Sequence, residues 1–408
     1  MVTHEVVITS RRSKEDIVNE GHAGLGVLAV TDAEGPKERY LGPNWYASVM
    51  GTGIVANAGA SLPFDVPGLR VFCELVWLVA AGMLVSLLVA TARHWLRSPT
   101  LARSYHHDVQ MSHFYGAPPM AFMTVGAGAI LAAHSLLGLR VAVDLDWVLW
   151  TLGTVGGLIT VVLIPFRLFT EMRVRPDAAF GGWLMPVVPP MVSASTGALL
   201  IAHVASFQGR ATLLYICYAL FGMSFFAALI IITLIWSRLA HFGSSNGARV
   251  PTLWIVLGPL GQSITAVGLL GSQAHVAVGA PLAAAMGVLS ILFGVPVWGF
   301  AMLWVALAAA LTVRTVRRRM PFSLTWWSFT FPVGVTVTGT IQLAAHTGLP
   351  AFRWASAGGY VALLCAWLLV FVRTWHATNH GILLRPPAPG STSPVASKGA
   401  YAPARAGV

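Results

Sequence analysis

Beyond Asp177 the sequence contains no aspartate or glutamate, and the whole chain of 408 residues has only 14. A cation channel with acidic rings needs carboxylates along its path. A carboxylate-based proton pump needs them inside its membrane spans. Within the ten spans delineated below, the only carboxylate placed is Glu74, near the outer end of the second. Charge of either sign is scarce, at 10% of residues, while 56% are hydrophobic. Soluble domains carry about 25% charged residues, so a large soluble core is excluded. Cysteine is scarce too. Cys73, Cys217 and Cys365 stand far apart within apolar runs, which excludes a disulfide framework and a zinc site and leaves small buried residues. The first 40 residues are polar and mixed in charge and lack the apolar stretch of a signal peptide. No phosphate-binding loop, nucleotide-binding domain or redox motif occurs, so neither ATP nor any other cofactor is called for.

What the chain does have is apolar runs longer than the roughly 20 residues that cross a bilayer. Ten spans are expected, at about 44–62, 69–91, 114–136, 147–169, 180–204, 211–237, 250–272, 282–312, 322–346 and 355–376. Short loops join them in pairs, as hairpins. This predicts an all-α membrane protein with a polar N-terminal tail (1–40), a ten-helix domain (41–380) and a disordered C-terminal tail (381–408) rich in Pro, Ser, Ala and Gly. With ten spans both tails share one side. That side holds 21 of the 25 Lys and Arg residues, and the other holds only Arg70, Arg140, Arg210 and Arg353. The positive-inside rule then puts both tails in the cytoplasm. Much of the net charge of +11 is topogenic, so no nucleic-acid partner is expected. The partner is the lipid bilayer.

The odd spans repeat. They begin near Gly42, His113, Phe180, Pro251 and Phe322, at spacings of 71, 67, 71 and 71 residues, and each opens with an aromatic. In four of the five a proline follows, and threonine stands six residues after one of the prolines: Thr124, Thr196, Thr265 and Thr338. The first span instead has Gly51 and Gly53, with Thr52 and Asn57 for polarity. The even spans are mostly Leu, Val, Ile and Ala. Five bent, hydroxyl-bearing helices inside and five apolar ones outside is the simplest arrangement. It repeats about an axis along the membrane normal.

Irregular backbone at membrane depth is tolerated where it is buried in protein or lines a cavity. Hydroxyls and freed backbone N–H groups are donors, and helix N-termini carry partial positive charge. A donor-lined path without fixed negative charge fits an anion. The candidate lining is Thr52, Asn57, Pro119, Thr124, Pro190, Thr196, Pro259, Thr265, Pro332 and Thr338. Phe331, directly before Pro332 in the ninth span, reads either as a steric plug or as a packing aromatic. His134, His203, His275 and His346 recur at the outer ends of odd spans. They read either as a titratable ring at an external mouth or as polar residues ending helices. The cytoplasmic His106, His107 and Asp108 and the cluster Arg317–Arg319 read as lipid or topology anchors, or as a focusing field for anions. No metal site is expected. A membrane-embedded enzyme would need a clustered nucleophile, base or metal set inside the spans, and none is found. For a structural or receptor subunit the repeated bends have no use.

At GPNWYASVMGTGIVANA (Gly42–Ala58) and WWSFTFPVGVTVTGTIQLA (Trp326–Ala344) the chain resembles the tellurite-resistance/dicarboxylate transporter family. That family includes fungal malate permeases, fungal sulfite efflux pumps and plant slow anion channels. The resemblance spans about residues 40–380. It implies five helical hairpins in quasi-fivefold order around a central pore, a homotrimer, and a gating phenylalanine on the ninth helix, which the matching TFP context places at Phe331. The bends implied by the family fall at Pro119, Pro190, Pro259 and Pro332, and in the first helix Gly51 and Gly53 must supply the irregularity. The expected function is transport of small anions across the plasma membrane: a C4-dicarboxylate such as malate, or sulfite. Alternatives are a chloride or nitrate channel and a tellurite-resistance exporter.

Overall fold

The structure, a computed structural model, describes residues 41–172, 174–244, 247–381 and 383. The expected polar tail at 1–40 and nearly all of the expected C-terminal tail lie outside the described residues. Among the described residues there is no strand, and twelve α-helices follow one another: α1 (Tyr46–Ala60), α2 (Leu69–Arg97), α3 (Pro99–Ser104), α4 (Ala117–Leu131), α5 (His134–Leu137), α6 (Leu139–Thr170), α7 (Pro189–Leu200), α8 (Phe207–Phe242), α9 (Leu257–Gln273), α10 (Ala280–Val316), α11 (Phe331–Thr347) and α12 (Pro350–Asn379).

Length sorts these helices into two sets. The helices α2, α6, α8, α10 and α12 have 29 to 37 residues. They leave rows of Leu, Val, Ile and Phe exposed, such as Leu75, Val162, Phe226, Leu292 and Val372. In water, apolar patches of that extent do not persist on a monomer, whereas in hydrocarbon they are the natural outer surface. The helices α1, α4, α7, α9 and α11 have only 12 to 17 residues and are buried almost throughout. Each short helix pairs with the long one that follows it, α1 with α2, α4 with α6, α7 with α8, α9 with α10 and α11 with α12. The short ones also contact each other in a closed circuit: α1 with α4, α4 with α7, α7 with α9, α9 with α11, and α11 with α1. This is a multi-pass membrane protein. Among the described residues, seven helical segments are long and apolar enough to cross a bilayer. The helices α1, α7 and α11, at 15, 12 and 17 residues, are not among them. Wrapped by protein, they need neither the length nor the apolarity of a lipid-facing span.

The prolines explain why the inner helices are short. Each of α4, α7, α9 and α11 follows a 3-10 stretch: Ser112–Gly116, Gly181–Leu184, Gly247–Val256 and Leu324–Phe329. Pro118 and Pro119, Pro189 and Pro190, Pro259 and Pro332 then stand in the first turn of the α-helix. Proline has no N–H and clashes with the carbonyl four residues back, so it is accepted only where no such bond is made. The prolines therefore start helices at mid-span rather than bending continuous ones. The first repeat differs. A 3-10 turn at Pro43–Trp45 runs straight into α1, and α1 continues unbroken through Gly51 and Gly53. The expectation that these glycines supply an irregularity is corrected. They supply closeness instead: a methyl at 51 would meet the Trp327 ring at 2.5 Å, and one at 53 would meet Thr124 Cγ2 at 2.7 Å.

The acidic inventory also needs correcting. The helix α6 begins at Leu139, eight residues before the expected start of the fourth span, and so takes in Asp144 and Asp146. Asp144 is exposed, but Asp146 is wholly buried. Glu74 is thus not the only carboxylate within a spanning helix. A hydropathy window trims charged residues from a span's end, and it cannot see that packing has buried one.

Candidate functional site

One cavity is lined by residues of all five short-helix segments. Met50 of α1, Met120 of α4, Val188 just before α7, Gly258 of α9, and Phe331 and Pro332 of α11 meet there, and none of the lining residues is charged. Phe331 is the first residue of α11 and is 6% exposed. Its backbone is set by the break that precedes it: Thr330 ends the 3-10 stretch, its hydroxyl donates to the Trp327 carbonyl at 2.7 Å, and its own carbonyl accepts from the Gly334 N–H at 2.8 Å. The cavity volume is about 30 Å³, room for about two water molecules where one needs about 10–15 Å³. Electrostatically the chamber is less neutral than its side chains. The α-helical starts of α7, α9 and α11 all lie on its wall, and helix N-termini carry partial positive charge, although the prolines in these first turns offer no N–H.

The other residues singled out from sequence are engaged in the walls. Thr52 accepts from Trp367 Nε1 of α12 at 3.2 Å. Asn57 donates from Nδ2 to the Thr124 carbonyl at 3.0 Å, tying α1 to α4, while its Oδ1 has no hydrogen-bond partner. Thr124 and Thr196 each donate back to the carbonyl four residues earlier, a local bond common to helix threonines. Thr265 and Thr338 are brought together, Oγ1 to Oγ1 at 2.8 Å, across the seam of α9 and α11. Pro119 packs on α6 beneath Gly156, with 3.1 Å to a methyl built there. Pro190 and Pro259 are buried in the first turns of α7 and α9.

The four histidines sit at the ends of α4, α7, α9 and α11. His203 and His275 are exposed. His134 has Nδ1 2.8 Å from the Ile130 carbonyl and Nε2 3.1 Å from Arg70 Nη2. A carbonyl needs a donor and a guanidinium needs an acceptor, so this geometry assigns the neutral tautomer protonated on Nδ1. With Arg70, His134 borders a second, polar cavity of about 420 Å³ at that end of α1, α2 and α4. His346 Nε2 lies 2.9 Å from the Gly268 carbonyl and 3.2 Å from Ser272 Oγ. Among the described residues no group of three His, Cys, Asp or Glu side chains converges as a metal site would require.

Sequence reasoning missed the tryptophans of the outer helices. Trp77, Trp150 and Trp304 each donate from Nε1, at 2.9 Å, to a backbone carbonyl of an inner segment: Val125, Ser193 and Leu253. Trp298 does the same to the Thr340 hydroxyl at 3.0 Å. Tryptophan away from the membrane interface, on the apolar repeat, was the available signal.

The family model described as voltage-dependent anion channel, SLAC1, matches residues 40–375. The chain belongs to the SLAC1 family. The sulfite efflux pump SSU1 of Trichophyton rubrum is 25% identical over 338 residues, covering 81% of this chain and 89% of the relative. An uncharacterized transporter of Methanocaldococcus jannaschii is 25% identical over 345 residues, covering 84% and 96%. The malic acid transport protein of Schizosaccharomyces pombe is 22% identical over 344 residues, covering 80% and 76%. Two of these three names, sulfite efflux pump and malic acid transport protein, are those of transporters of small anions.

Proposed function

We propose that this SLAC1-family chain carries small oxyanions, sulfite foremost and C4-dicarboxylates such as malate next, through a central pore that Phe331 closes. Ten helices cross the membrane in this reading: the seven long apolar segments, and α1, α7 and α11 with their 3-10 leaders. The closed circuit of short helices is the pore wall, in quasi-fivefold order, and the long helices face lipid. The single observation that carries the reading is the chamber itself. It is bounded by all five repeats, free of charged side chains, and lined by Phe331 and by the starts of three inner helices. An anion entering it loses water and gains the partial positive charge of the helix starts. Lacking a fixed cation, the site also lets the anion leave. Sulfite comes first because the cavity is small and because the SSU1 relatives align over most of their length. The family's channel description favours a second reading, a chloride or nitrate channel of the same architecture. The histidines at the helix ends form the external mouth, both termini face the cytoplasm of a plasma-membrane protein, and the assembly is a homotrimer.

The test is flux in proteoliposomes with sulfite, malate, chloride and nitrate as parallel probes. Phe331→Ala is expected to raise the flux of the carried anion by roughly tenfold, a barrier reduction of about 1.4 kcal/mol. The reading fails if no anion moves through the wild type or the variant.

A further inference from the structure

We propose that Asp146 is a proton-binding site in the wall between α4 and α6, and that the rate of transport follows its protonation. The flux part rests on the anion-transport reading above, whereas the proton site does not. Asp146 stands seven residues into α6, about 10 Å along the axis from its first residue. Its side chain has no exposed surface, and neither Oδ1 nor Oδ2 has a hydrogen-bond partner. It lies against Gly126 of α4, where a methyl group would collide with Oδ1.

The groups that could compensate a charge are absent from the packed faces. The helices α4 and α7, which pack on α6, carry no titratable side chain. In α5, which also packs on α6, His134 is spent on Ile130 and Arg70. The 3-10 turn Ser112–Gly116 meets α6 too, and its His113 is held by the Val109 carbonyl at 2.6 Å. In the same turn Tyr115 faces His106. On α6 itself Asp144 and Arg140 are exposed, and Arg167 pairs with Glu171 at 2.8 Å. Cys217 and Tyr218 of α8 belong to the neighbouring apolar cluster around Val143.

A carboxylate buried without a partner costs several kcal/mol, and such a group takes a proton instead. The packing seen here is therefore that of the protonated state. When the proton leaves, the charge must reach water or a donor, and α4 has to part from α6. At this level α4 is held from its other side by Asn57 on the Thr124 carbonyl and Trp77 on the Val125 carbonyl. One to two turns back, toward its N-terminus, the same helix presents Met120 to the chamber. A shift of α4 away from α6 therefore reaches the pore wall, and flux rises with pH.

Infrared spectra of the reconstituted full chain, titrated from about pH 5.5 to about pH 8, test the site directly. The wild type is expected to show a protonated-carboxyl C=O band that Asp146→Asn lacks and that Gly126→Ala shifts by crowding Oδ1. Absence of any such band, or its persistence in Asp146→Asn, overturns the proton site. If Asp146→Asn does not fold, the shift in Gly126→Ala decides alone. Over the same range, flux of chloride or nitrate, whose own charge is fixed there, is expected to rise severalfold in the wild type and to stay flat in Asp146→Asn. Superimposable pH profiles overturn the coupling. If neither anion moves, the anion-transport reading fails while the infrared result still stands.

Discussion

Phe331 shows how much one residue can reveal before a structure exists, and what stays hidden. Its dipeptide with Pro332 and its place in an uncharged span were legible, because proline marks itself in any sequence. Which way the ring points was not, since packing aromatics and plugs read alike until the neighbours are known. His106 shows the opposite. Nothing in the HHD triplet foretold that its ring would stack on Tyr115, with centroids 4.6 Å apart and planes at 5°. Burial in that stack, with Arg167 and His107 adding repulsion, lowers the His106 pKa from its ordinary 6.5. The folded protein thus binds the proton less well than the unfolded chain does. The unfolded state then takes up more protons as pH falls through about 6.5, so this histidine's contribution to stability is present above that pH and lost below it. His106→Gln should narrow the gap between the thermal unfolding midpoints at pH 7.5 and pH 5.5. An unchanged gap would show that the stacked imidazole has no part in acid sensitivity.

Among elements, the period of the repeat and the contrast between apolar and hydroxyl-rich spans were readable because both follow from composition along the chain. Helix starts were not. The handover from 3-10 to α at each proline depends on neighbouring segments that accept a broken backbone. The entry of Asp144 and Asp146 into α6 depends on partners no hydropathy window sees. The seam of α9 and α11 carries the sharpest element-scale expectation. Gly261 there faces backbone: a methyl would stand 2.5 Å from the Thr336 nitrogen, and Gly339 would bring one 2.8 Å from the Gly261 carbonyl. Main chain cannot swing aside as a side chain does, so Gly261→Ala should force the two helices apart and destabilise the protein by about 1–3 kcal/mol. Thr265→Val, which removes the hydroxyl from the bond to Thr338 across the same seam, should cost about 1 kcal/mol. A double-mutant cycle with Thr338→Val should show coupling, because each change removes the same bond. Additive losses would assign both hydroxyls to their own helices.

At the scale of the whole molecule, the first and last hairpins are tied together across almost the full chain. The Tyr360 hydroxyl donates to the Val55 carbonyl at 3.2 Å, and Trp367 Nε1 to Thr52 Oγ1 at the same distance. No local sequence signal announces that closure, although the equal spacing of the odd spans is what permits it. Orientation is the one global property that composition alone addresses, through the unequal distribution of 25 Lys and Arg residues. It can be put to trial with two residues 38 positions apart. Ser206, before α8, and Ser244, after it, are both exposed and stand at opposite ends of that helix. If the basic side is cytoplasmic, Ser206→Cys in a Cys365→Ser background should react with a membrane-impermeant thiol reagent in intact cells. Ser244→Cys should react only after the cells are opened. The reverse pattern would invert the protein in the membrane and turn the cavity at His134 and Arg70 inward. Labelling of both from outside would deny that α8 crosses at all, and with it the ten-span reading on which the proposed pore depends.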